Sequence, residues 1–229
     1  SANMGGLIGN NEYGVERITN CGFVGVSNPF GSIATPIPTY SAQALSSDEF
    51  DEITHLNGNF CSFANVEPMT GDYKISTAND LIKFSKLVNA GVDVSGATFT
   101  LAADIDMTGV TDFIPIGKYN AFSGTFDGNG YTISNININR GSQDNIGLFG
   151  IAQDATISNL NLSELDICGN INVGGILGYG VQDVSVINCC VSKGTITGSE
   201  AVGGIAGNVV EADFTSVYSN VTLLPVFWP

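Results

Sequence analysis

The chain has 229 residues, of which 22 are acidic and seven are basic, so its formal net charge is −15 although only 13% of its residues are charged. Such an acidic surface repels phosphate groups, which argues against binding nucleic acid or an anionic membrane. Glycines and polar residues interrupt every apolar run before the roughly 18 residues of a transmembrane helix, so no membrane insertion is predicted.

A glycine-rich repeat opens the chain. The box Met4-Gly-Gly-Leu-Ile-Gly9 recurs as Val173-Gly-Gly-Ile-Leu-Gly178 and Val202-Gly-Gly-Ile-Ala-Gly207, with a degenerate copy at Ile146-Gly-Leu-Phe-Gly150. Intervals of 27 and 29 residues separate the last three copies, and such a period is typical of stacked units that cannot bury their own apolar faces. Paired glycines predict a corner in each unit, because they permit positive φ and close approach between backbones.

The first glycine box lies far from the other copies in the sequence. No signal-peptide features precede it and the chain opens inside a repeat, so we expect a piece of a longer, multi-repeat chain. We predict that residues 1–27 form a single repeat that docks on the C-terminal coils near Val202 to Leu224. The alternative is that they are the tail of a preceding block of repeats.

Residues 28–72 differ in composition from the rest of the chain. Pro29, Pro36 and Pro38 stand among serines and threonines, and Ser47-Asp-Glu-Phe-Asp-Glu52 is a short acidic turn. Prolines at this density predict a linker or insertion that separates the first repeat from a main body at residues 73–229.

One amphipathic helix is predicted at about residues 77–90. Thr77 is a suitable N-cap, Asp80 three residues later completes a capping box, and Gly91 ends the helix. The apolar residues of this segment fall on one face: Leu81, Phe84, Leu87 and Val88. Because the end of a β-stack exposes unpaired backbone, we predict that this helix caps the first coil, ahead of strands at 98–101, 113–116 and 124–126.

A second pattern reads apolar, any, Asn, apolar, any, apolar. It occurs at Ile133-Ser-Asn135-Ile136-Asn-Ile138, Ile157-Ser-Asn159-Leu160-Asn-Leu162, Val186-Ile-Asn188-Cys189-Cys-Val191 and Ile18-Thr-Asn20-Cys21-Gly-Phe23. The alternation expected of a strand slips by one residue at each Asn, which tolerates the left-handed conformation of a tight bend. Repeats of about 28 residues with three short strands predict a parallel β-helix, with equivalent asparagines forming a ladder along one edge.

The five cysteines predict no metal site. Their spacing matches no zinc motif, and the single histidine, His55, cannot complete a ligand set. We expect mostly free, buried thiols at Cys21, Cys61, Cys168, Cys189 and Cys190. Cys189 is expected to point inward and Cys190 outward, so a vicinal disulfide is not predicted. The apolar C-terminal segment, residues 223–229, is predicted to pack on a coil end or on the N-terminal segment.

The boxes and their trailing Asn segments resemble the GLUG motif of large bacterial surface proteins and of the non-catalytic N-terminal regions of some immunoglobulin A peptidases. Also similar to such proteins are Tyr73-Lys-Ile-Ser-Thr-Ala-Asn-Asp-Leu81, Leu101-Ala-Ala-Asp-Ile-Asp106, Ile114-Pro-Ile-Gly117 and Phe122-Ser-Gly-Thr-Phe-Asp-Gly-Asn-Gly130. The resemblance covers residues 73–224 and, by one repeat, 4–27. It implies an extracellular bacterial protein with right-handed β-helical stacking and a role in adhesion or surface display.

This resemblance assigns no catalytic residue, because the motif is structural. The chain also departs from it: the last repeat has Phe214-Thr-Ser216-Val217 where Asn is expected, and residues 28–72 match nowhere. In such an acidic chain, a structural calcium site near Asp104, Asp106 and Asp127 is conceivable, but turn formation explains these residues better.

A glycan-cleaving enzyme is the sharpest alternative, because parallel β-helices also carry polysaccharide lyases and hydrolases. Hydrolysis needs two carboxylates about 5 to 10 Å apart across a groove, and the candidates are Asp104, Asp106, Asp127 and Asp154. Lyase chemistry would need basic residues, and those within the coils are Lys118, Arg140 and Lys193. Tyrosines that could stack on sugars are Tyr73, Tyr119, Tyr131 and Tyr179. Nothing in the sequence selects a pair, and no nucleophile motif is present.

The sequence therefore predicts a non-catalytic extracellular β-helical module with no catalytic, cofactor-binding or metal-binding residue. It is expected to act in adhesion or as a rigid display or spacer scaffold. Its expected partner is a glycan or protein of a host or neighbouring cell. The two alternatives are a glycan-active enzyme and an accessory domain of a secreted protease.

Overall fold

Parallel pairing between successive coils organises the chain. The computed structural model describes residues 68–111 and 113–225. In chain order its elements are β1 (Thr70–Ile75), α1 (Ala78–Asn89), β2 (Gly96–Leu101), β3 (Ile105–Asp106), β4 (Thr125–Asp127), β5 (Thr132–Ser134), β6 (Asn137–Asn139), β7 (Phe149–Gln153), β8 (Thr156–Ser158), β9 (Asn161–Ser163), β10 (Leu165–Cys168), β11 (Ile171–Gly174), β12 (Leu177–Ile187), β13 (Cys190–Val191), β14 (Gly194–Gly198), β15 (Glu200–Gly203), β16 (Ala206–Thr215), β17 (Tyr218–Ser219) and β18 (Thr222–Pro225).

These strands form four parallel ladders. Sheet A runs β1-β2-β4-β8-β12-β16, with β7 pairing the first half of β12; sheet B runs β3-β5-β9-β13-β17, sheet C β6-β10-β14-β18 and sheet D β11-β15. Residues paired along sheet A are 26 to 31 positions apart in the chain, as in Asp72 with Thr98 and Thr125 with Thr156. Six successive strands in sheet A mean that the chain winds about five times. The predicted parallel β-helix is confirmed.

The core lies inside the coils and is built from one inward side chain per short strand. Phe126, Ile157 and Val186 are paired in register on sheet A, and all three are fully buried. The inward residues of sheets B and C are similarly buried aliphatics, such as Leu162 and Ile167. Stacking like residues over one another removes nearly all of their apolar surface from water, which is the main stabilising term.

Helix α1 covers the first coil, as predicted. The side chain of Thr77 accepts a hydrogen bond from the backbone N–H of Asp80, whose carboxylate in turn accepts from the Thr77 N–H. The ring of Phe84 lies 4.2 Å from that of Phe99 and 5.9 Å from that of Phe126. The apolar face of the helix thus closes the end of the stack against the inward aromatics of β2 and β4.

The prediction of a strand at 113–116 is wrong except at one residue. Ile116 forms an isolated parallel bridge to Phe149. The carbonyls of Ile114 and Pro115 instead accept hydrogen bonds from Ser85 Oγ and Asn89 Nδ2 of α1. Pro115 has no N–H to offer a neighbouring strand, so this segment anchors the helix and does not extend a ladder.

Left-handed corners between strands confirm the role predicted for asparagine. Between sheets A and B, Asn159, Asn188 and Ser216 have φ of 52°, 52° and 55°. Before the glycine boxes, Asn145, Asn172 and Ala201 have φ of 56°, 58° and 51°. The last residue of each column, Ser216 or Ala201, is not Asn, but its backbone is still left-handed.

The three Asn segments in the described part of the chain are not all equivalent, which corrects the prediction of a single ladder. Ile133 pairs with Leu162 on sheet B, whereas Ile157 pairs with Phe126 on sheet A. Asn135 therefore lies at the corner between sheets B and C, one corner further along the coil than Asn159. Both corners require a residue with a left-handed backbone, so the same short motif occurs at two different edges of the stack.

The glycine boxes are required by close packing and not by positive φ. The described glycines with positive φ lie outside the boxes. A Cβ on Gly174 would lie 2.3 Å from the carbonyl oxygen of Leu177, and one on Gly178 would lie 2.5 Å from the backbone N of Ile146. The predicted close approach of backbones is confirmed, and the predicted positive φ within the boxes is wrong.

One corner of sheet A varies in length. Val181 pairs with Val210 and Val184 with Ala212, so β12 carries one residue more than β16 at this point. The extra length is taken up by Gln182 and Asp183, both with positive φ. The strands on either side keep their register.

Residues 1–67, Asp112 and residues 226–229 lie outside the described part of the chain. The predictions for the repeat at residues 1–27, most of the linker at 28–72, Cys21, Cys61, His55 and the last four residues therefore stay predictions.

Candidate functional site

The outer surface of sheet A carries two columns of small hydroxyl-bearing side chains. Inward residues alternate with outward ones along each short strand, as in Thr98-Phe99-Thr100. The outward positions, which we call the hydroxyl face, are Thr98, Thr125, Thr156 and Ser185 in one column and Thr100, Asp127, Ser158, Ile187 and Thr215 in the other. Thr215, on the last described strand, is exposed, and the other positions are partly exposed.

Strand geometry makes the hydroxyl face a regular grid. Neighbouring strands are about 4.8 Å apart, and alternate residues along a strand are about 6.7 Å apart. Among the described residues, Thr98, Thr125, Thr156 and Ser185 make no side-chain hydrogen bond, so each can both donate to and accept from a ligand. Asp127 is the one charged residue among these positions, and the two columns continue into charged residues at both ends: Asp72 and Lys74 on β1 and Asp213 on β16.

Amide ladders hold the edges of the coils beside this face. Asn159 Nδ2 donates to Asp127 Oδ1 at 2.9 Å, and Asn188 Nδ2 donates to Asn159 Oδ1 at 3.2 Å. A second ladder joins Asn172 Nδ2 to Asn145 Oδ1 at 2.8 Å. Because these bonds run from coil to coil, they fix the spacing of the strands that carry the hydroxyl face.

The aspartates proposed for calcium binding or catalysis accept hydrogen bonds from the protein itself. Asp104 Oδ1 accepts from the Thr132 backbone N–H, and Asp127 Oδ1 accepts from the Asn129 N–H as well as from Asn159. Asp154 lies at the variable corner, where its backbone is left-handed. Within the described ranges, no three His, Cys, Asp or Glu side chains are grouped closely enough to hold a metal ion.

Asp106 is the most heavily hydrogen-bonded of these carboxylates. Its Oδ1 accepts from the backbone N–H and the Oγ1 of Thr108 and from Nδ2 of Asn135 in the next coil. The bonds from Asn135 and then Thr108 lower the pKa of Asp106 below its ordinary value. A carboxylate held in this way stays ionised and positions a corner.

The three basic residues proposed for lyase chemistry are engaged with the protein's own oxygens. Lys118 Nζ donates to the backbone carbonyl of Asp144, and burial lowers the pKa of Lys118. Arg140 donates to the carbonyl of Phe113 at 3.4 Å. Lys193 forms an exposed ion pair with Glu164. The partners in these three contacts are Asp144, Phe113 and Glu164, none of which is a candidate aspartate.

The tyrosines proposed as sugar-stacking platforms are dispersed. Tyr73 stacks on Phe99 with ring centroids 5.3 Å apart, and Tyr131 packs partly buried against the core. Tyr179 is half-buried in β12, whereas Tyr119 is 56% exposed in a connection. Two of the four therefore have structural roles, and the four do not form one platform.

The thiols follow the predicted inward and outward pattern. Cys189 is buried, and burial raises its pKa, whereas Cys190 is half-exposed and faces outward in β13. Burial also raises the pKa of Cys168. In the part of the chain that the structure describes, Cys168, Cys189 and Cys190 are not joined to one another.

Apart from Asp127, no residue of the hydroxyl face was predicted from the sequence to be functional. Triplets such as Thr98-Phe-Thr100, Thr125-Phe-Asp127 and Thr156-Ile-Ser158 are visible in the sequence. Their intervals of 27 and 31 residues are unequal, however, so the alignment of their outward residues needs the strand register.

Known proteins match only parts of the chain. No family model matches it. Over 167 residues, or 68% of the chain, it is 29% identical to halomucin of Haloquadratum walsbyi, of which the match covers 2%. Over 75 residues, or 30% of the chain, it is 41% identical to a candidate Gly-rich membrane protein of Evansella cellulosilytica, of which the match covers 9%. The chain thus spans less than a tenth of the length of either relative.

A solved structure gives a weaker match. It is the crystal structure of a candidate immunoglobulin A1 protease from Bacteroides ovatus, which is 18% identical to this chain and superposes with a TM-score of 0.42. The match covers 66% of this chain and 67% of that one. In the described residues of the present protein, no helix has the length and apolar character needed to cross a bilayer.

Proposed function

We propose that this chain is a non-catalytic, extracellular β-helical module of a bacterial surface protein that uses its hydroxyl face for adhesion. The observation that carries the proposal is the grid of unengaged hydroxyls at Thr98, Thr125, Thr156 and Ser185 on stacked parallel strands. The repeat's resemblance to surface-protein motifs and the match to a relative named as a membrane protein support a location at the cell surface.

The chemistry of the hydroxyl face favours a neutral, polyhydroxylated partner such as a glycan chain. Each Thr or Ser hydroxyl can donate one hydrogen bond and accept others. Single bonds of this kind are weak in water, but a grid fixed by the fold can make several at once without ordering flexible loops. The net charge of −15 disfavours polyanionic ligands.

The test compares two pairs of isosteric substitutions on immobilised glycans and extracellular-matrix proteins. Thr125→Val with Thr156→Val removes two central hydroxyls from the face while keeping the side-chain shape and β-propensity. Binding of this variant is expected to fall by about tenfold or more, because two hydrogen bonds are lost together. The matched control is Thr195→Val with Thr197→Val, on the outer surface of sheet C, and it should bind as the unmodified chain does.

Two results would overturn the proposal. One is that the folded chain binds nothing on the arrays. The other is that it depolymerises members of a polysaccharide panel, because turnover would favour the glycan-active alternative. Circular dichroism of each variant shows that a loss of binding is not a loss of fold.

A further inference from the structure

The last described coil, β15 to β18, leaves inward side chains uncovered. Phe214 has the same register position as Val186 on the preceding coil, yet it is 37% exposed and Val186 is fully buried. Leu223 is 46% exposed where its partner Ile196 is fully buried. At the other end of the stack, α1 covers the equivalent surface.

The backbone is also unpaired at this end. In the described part of the chain β15, β16, β17 and β18 are each the last strand of their sheet. A free row of N–H and C=O groups beside exposed apolar side chains is a template for one more strand in each ladder. The surface therefore fits a further coil of the same kind.

We propose that residues 3–23 of this chain form that coil, pairing in parallel with β15, β16 and β17. The box Met4-Gly-Gly-Leu-Ile-Gly9 matches Val202-Gly-Gly-Ile-Ala-Gly207, and Ile18-Thr-Asn20-Cys21-Gly-Phe23 occupies the register of residues 214–219. This places Ile18 over Phe214 and extends the corner column that holds Asn159, Asn188 and Ser216.

The length between the two motifs is compatible with this register. From the last glycine of the box to the corner residue there are 9 positions at Gly207 to Ser216, 10 at Gly178 to Asn188 and 11 at Gly9 to Asn20. The difference between β12 and β16 falls at the corner after Val181 and Val210. The first repeat has two residues more than β16 in this interval, and the proposed register places both at this corner, so neither flanking ladder shifts.

Side-chain chemistry supports the same alignment. Asn3 falls on the column of Asn145, Asn172 and Ala201, where a left-handed residue is required. Arg17, one of seven basic residues in the chain, falls beside the exposed Asp213. Opposite charges on adjacent strands favour this pairing, whereas any register that placed Glu16 there would be repulsive.

The connection is long enough to allow docking at the far end of the stack. The stack of six strands in sheet A is roughly 25 Å tall. About 45 residues separate Phe23 from β1, and a chain of that length can span roughly 150 Å when extended. Two other occupants of the open end are a second copy of the chain and residues 226–229, which directly follow β18.

A cysteine cross-link distinguishes these occupants. In the full chain, Cys21 is kept as the one native thiol by four substitutions: Cys61→Ser, Cys168→Ser, Cys189→Val and Cys190→Ser. Val217→Cys then adds a thiol in the register of Cys21, where adjacent strands place Cα atoms within disulfide range. Oxidised glutathione accepts the two electrons and two protons as the thiols join. The control is Asp213→Cys in the same background, four residues away and facing outward.

We expect Val217→Cys to give an intramolecular disulfide to Cys21 in most molecules, mapped by peptide mass spectrometry, and Asp213→Cys to give little. A disulfide between two chains would overturn the proposal in favour of a second copy. Failure of the Val217→Cys variant to cross-link while folded would also overturn it, leaving residues 226–229 as the occupant.

A charge exchange decides the question if the cysteine-depleted chain does not fold. In the unmodified background, Asp213→Arg should lower the Tm by about 2 °C by placing like charges together. Adding Arg17→Asp should restore that loss, because the pair is then reversed and again opposite. Two losses that simply add would overturn the proposed register.

Discussion

Asn159 links three coils through one side chain: its Nδ2 donates to Asp127 Oδ1 at 2.9 Å, and its Oδ1 accepts from Asn188 Nδ2 at 3.2 Å. The same residue has a left-handed backbone, with φ of 52°. Asparagine therefore combines a tolerance of the left-handed backbone with a short side-chain amide. Glycine tolerates this backbone but has no side-chain amide, and glutamine has the amide on a longer, more flexible side chain.

Replacing Asn159 with alanine should lower the free energy of unfolding by about 2 to 3 kcal/mol. Alanine keeps the strained left-handed backbone, which costs roughly 1 to 2 kcal/mol, and leaves the ladder without its central amide. Asn159→Gly removes the strain and should cost only about 1 kcal/mol. Urea denaturation measures both, with Asn137→Ala on an exposed strand position as a control expected within about 0.5 kcal/mol of the unmodified chain. Equal losses for Ala and Gly would contradict a role for the backbone conformation.

Ala201 is a site where substitution should stabilise the protein. It has φ of 51° in the column that holds Asn145 and Asn172, so its Cβ is strained. Ala201→Asn should raise the free energy of unfolding by about 1 kcal/mol, since Asn tolerates the conformation and can extend the amide ladder. Ala201→Val should lower it, because a β-branched side chain is less tolerant of positive φ. Thermal unfolding of the two variants should move in opposite directions, and a common direction would refute the assignment.

Gly178→Ala should destabilise the fold by about 3 kcal/mol or more. The new Cβ would lie 2.5 Å from the backbone N of Ile146 and 2.7 Å from the carbonyl oxygen of Gly150, and backbone atoms in paired strands cannot move aside cheaply. Gly109→Ala is the matched control, because Gly109 has positive φ but open space around the Cβ position. It should cost only about 1 kcal/mol. A smaller loss at Gly178 than at Gly109 would show that conformation, and not close packing, dictates the boxes.

The hydrogen bonds to Asp106 predict a pH dependence of stability. Because its pKa is lowered in the folded state, the unfolded chain binds more protons, and stability rises with pH through this region. The contribution of Asp106 is present above its ordinary pKa of 3.8 and is lost as the pH falls through the lower, folded-state pKa. The Tm difference between the unmodified chain and Asp106→Asn should therefore be largest near pH 6 and should shrink towards about pH 2. A difference that stays constant over this range would contradict the prediction.

Features that depend on neighbours in the chain could be predicted from the sequence. The helix at Ala78–Asn89 follows from its capping residues and apolar spacing, and the left-handed corners follow from the phase slip at residues such as Asn159 and Asn188. These signals are local, because a capping box or a single αL residue is specified within a few positions.

Features that depend on neighbours in space could not be predicted. Asn135 and Asn159 carry the same motif but serve different corners, and only the pairing of Ile133 with Leu162 distinguishes them. Ala201 has positive φ without any residue-type signal for it. The hydroxyl face likewise emerges only when coils of 27 to 31 residues are brought into register.

At the variable corner formed by Gln182 and Asp183, a coil can change in length while the strands on either side keep their positions. One coil takes an additional residue there while Val181 and Ser185 keep their partners on both adjacent coils. Insertions at this corner would therefore project into solvent without shifting the strands before or after them. The scaffold thus has an edge along which peptides of different length can be grafted, one per coil, at a spacing set by the stack.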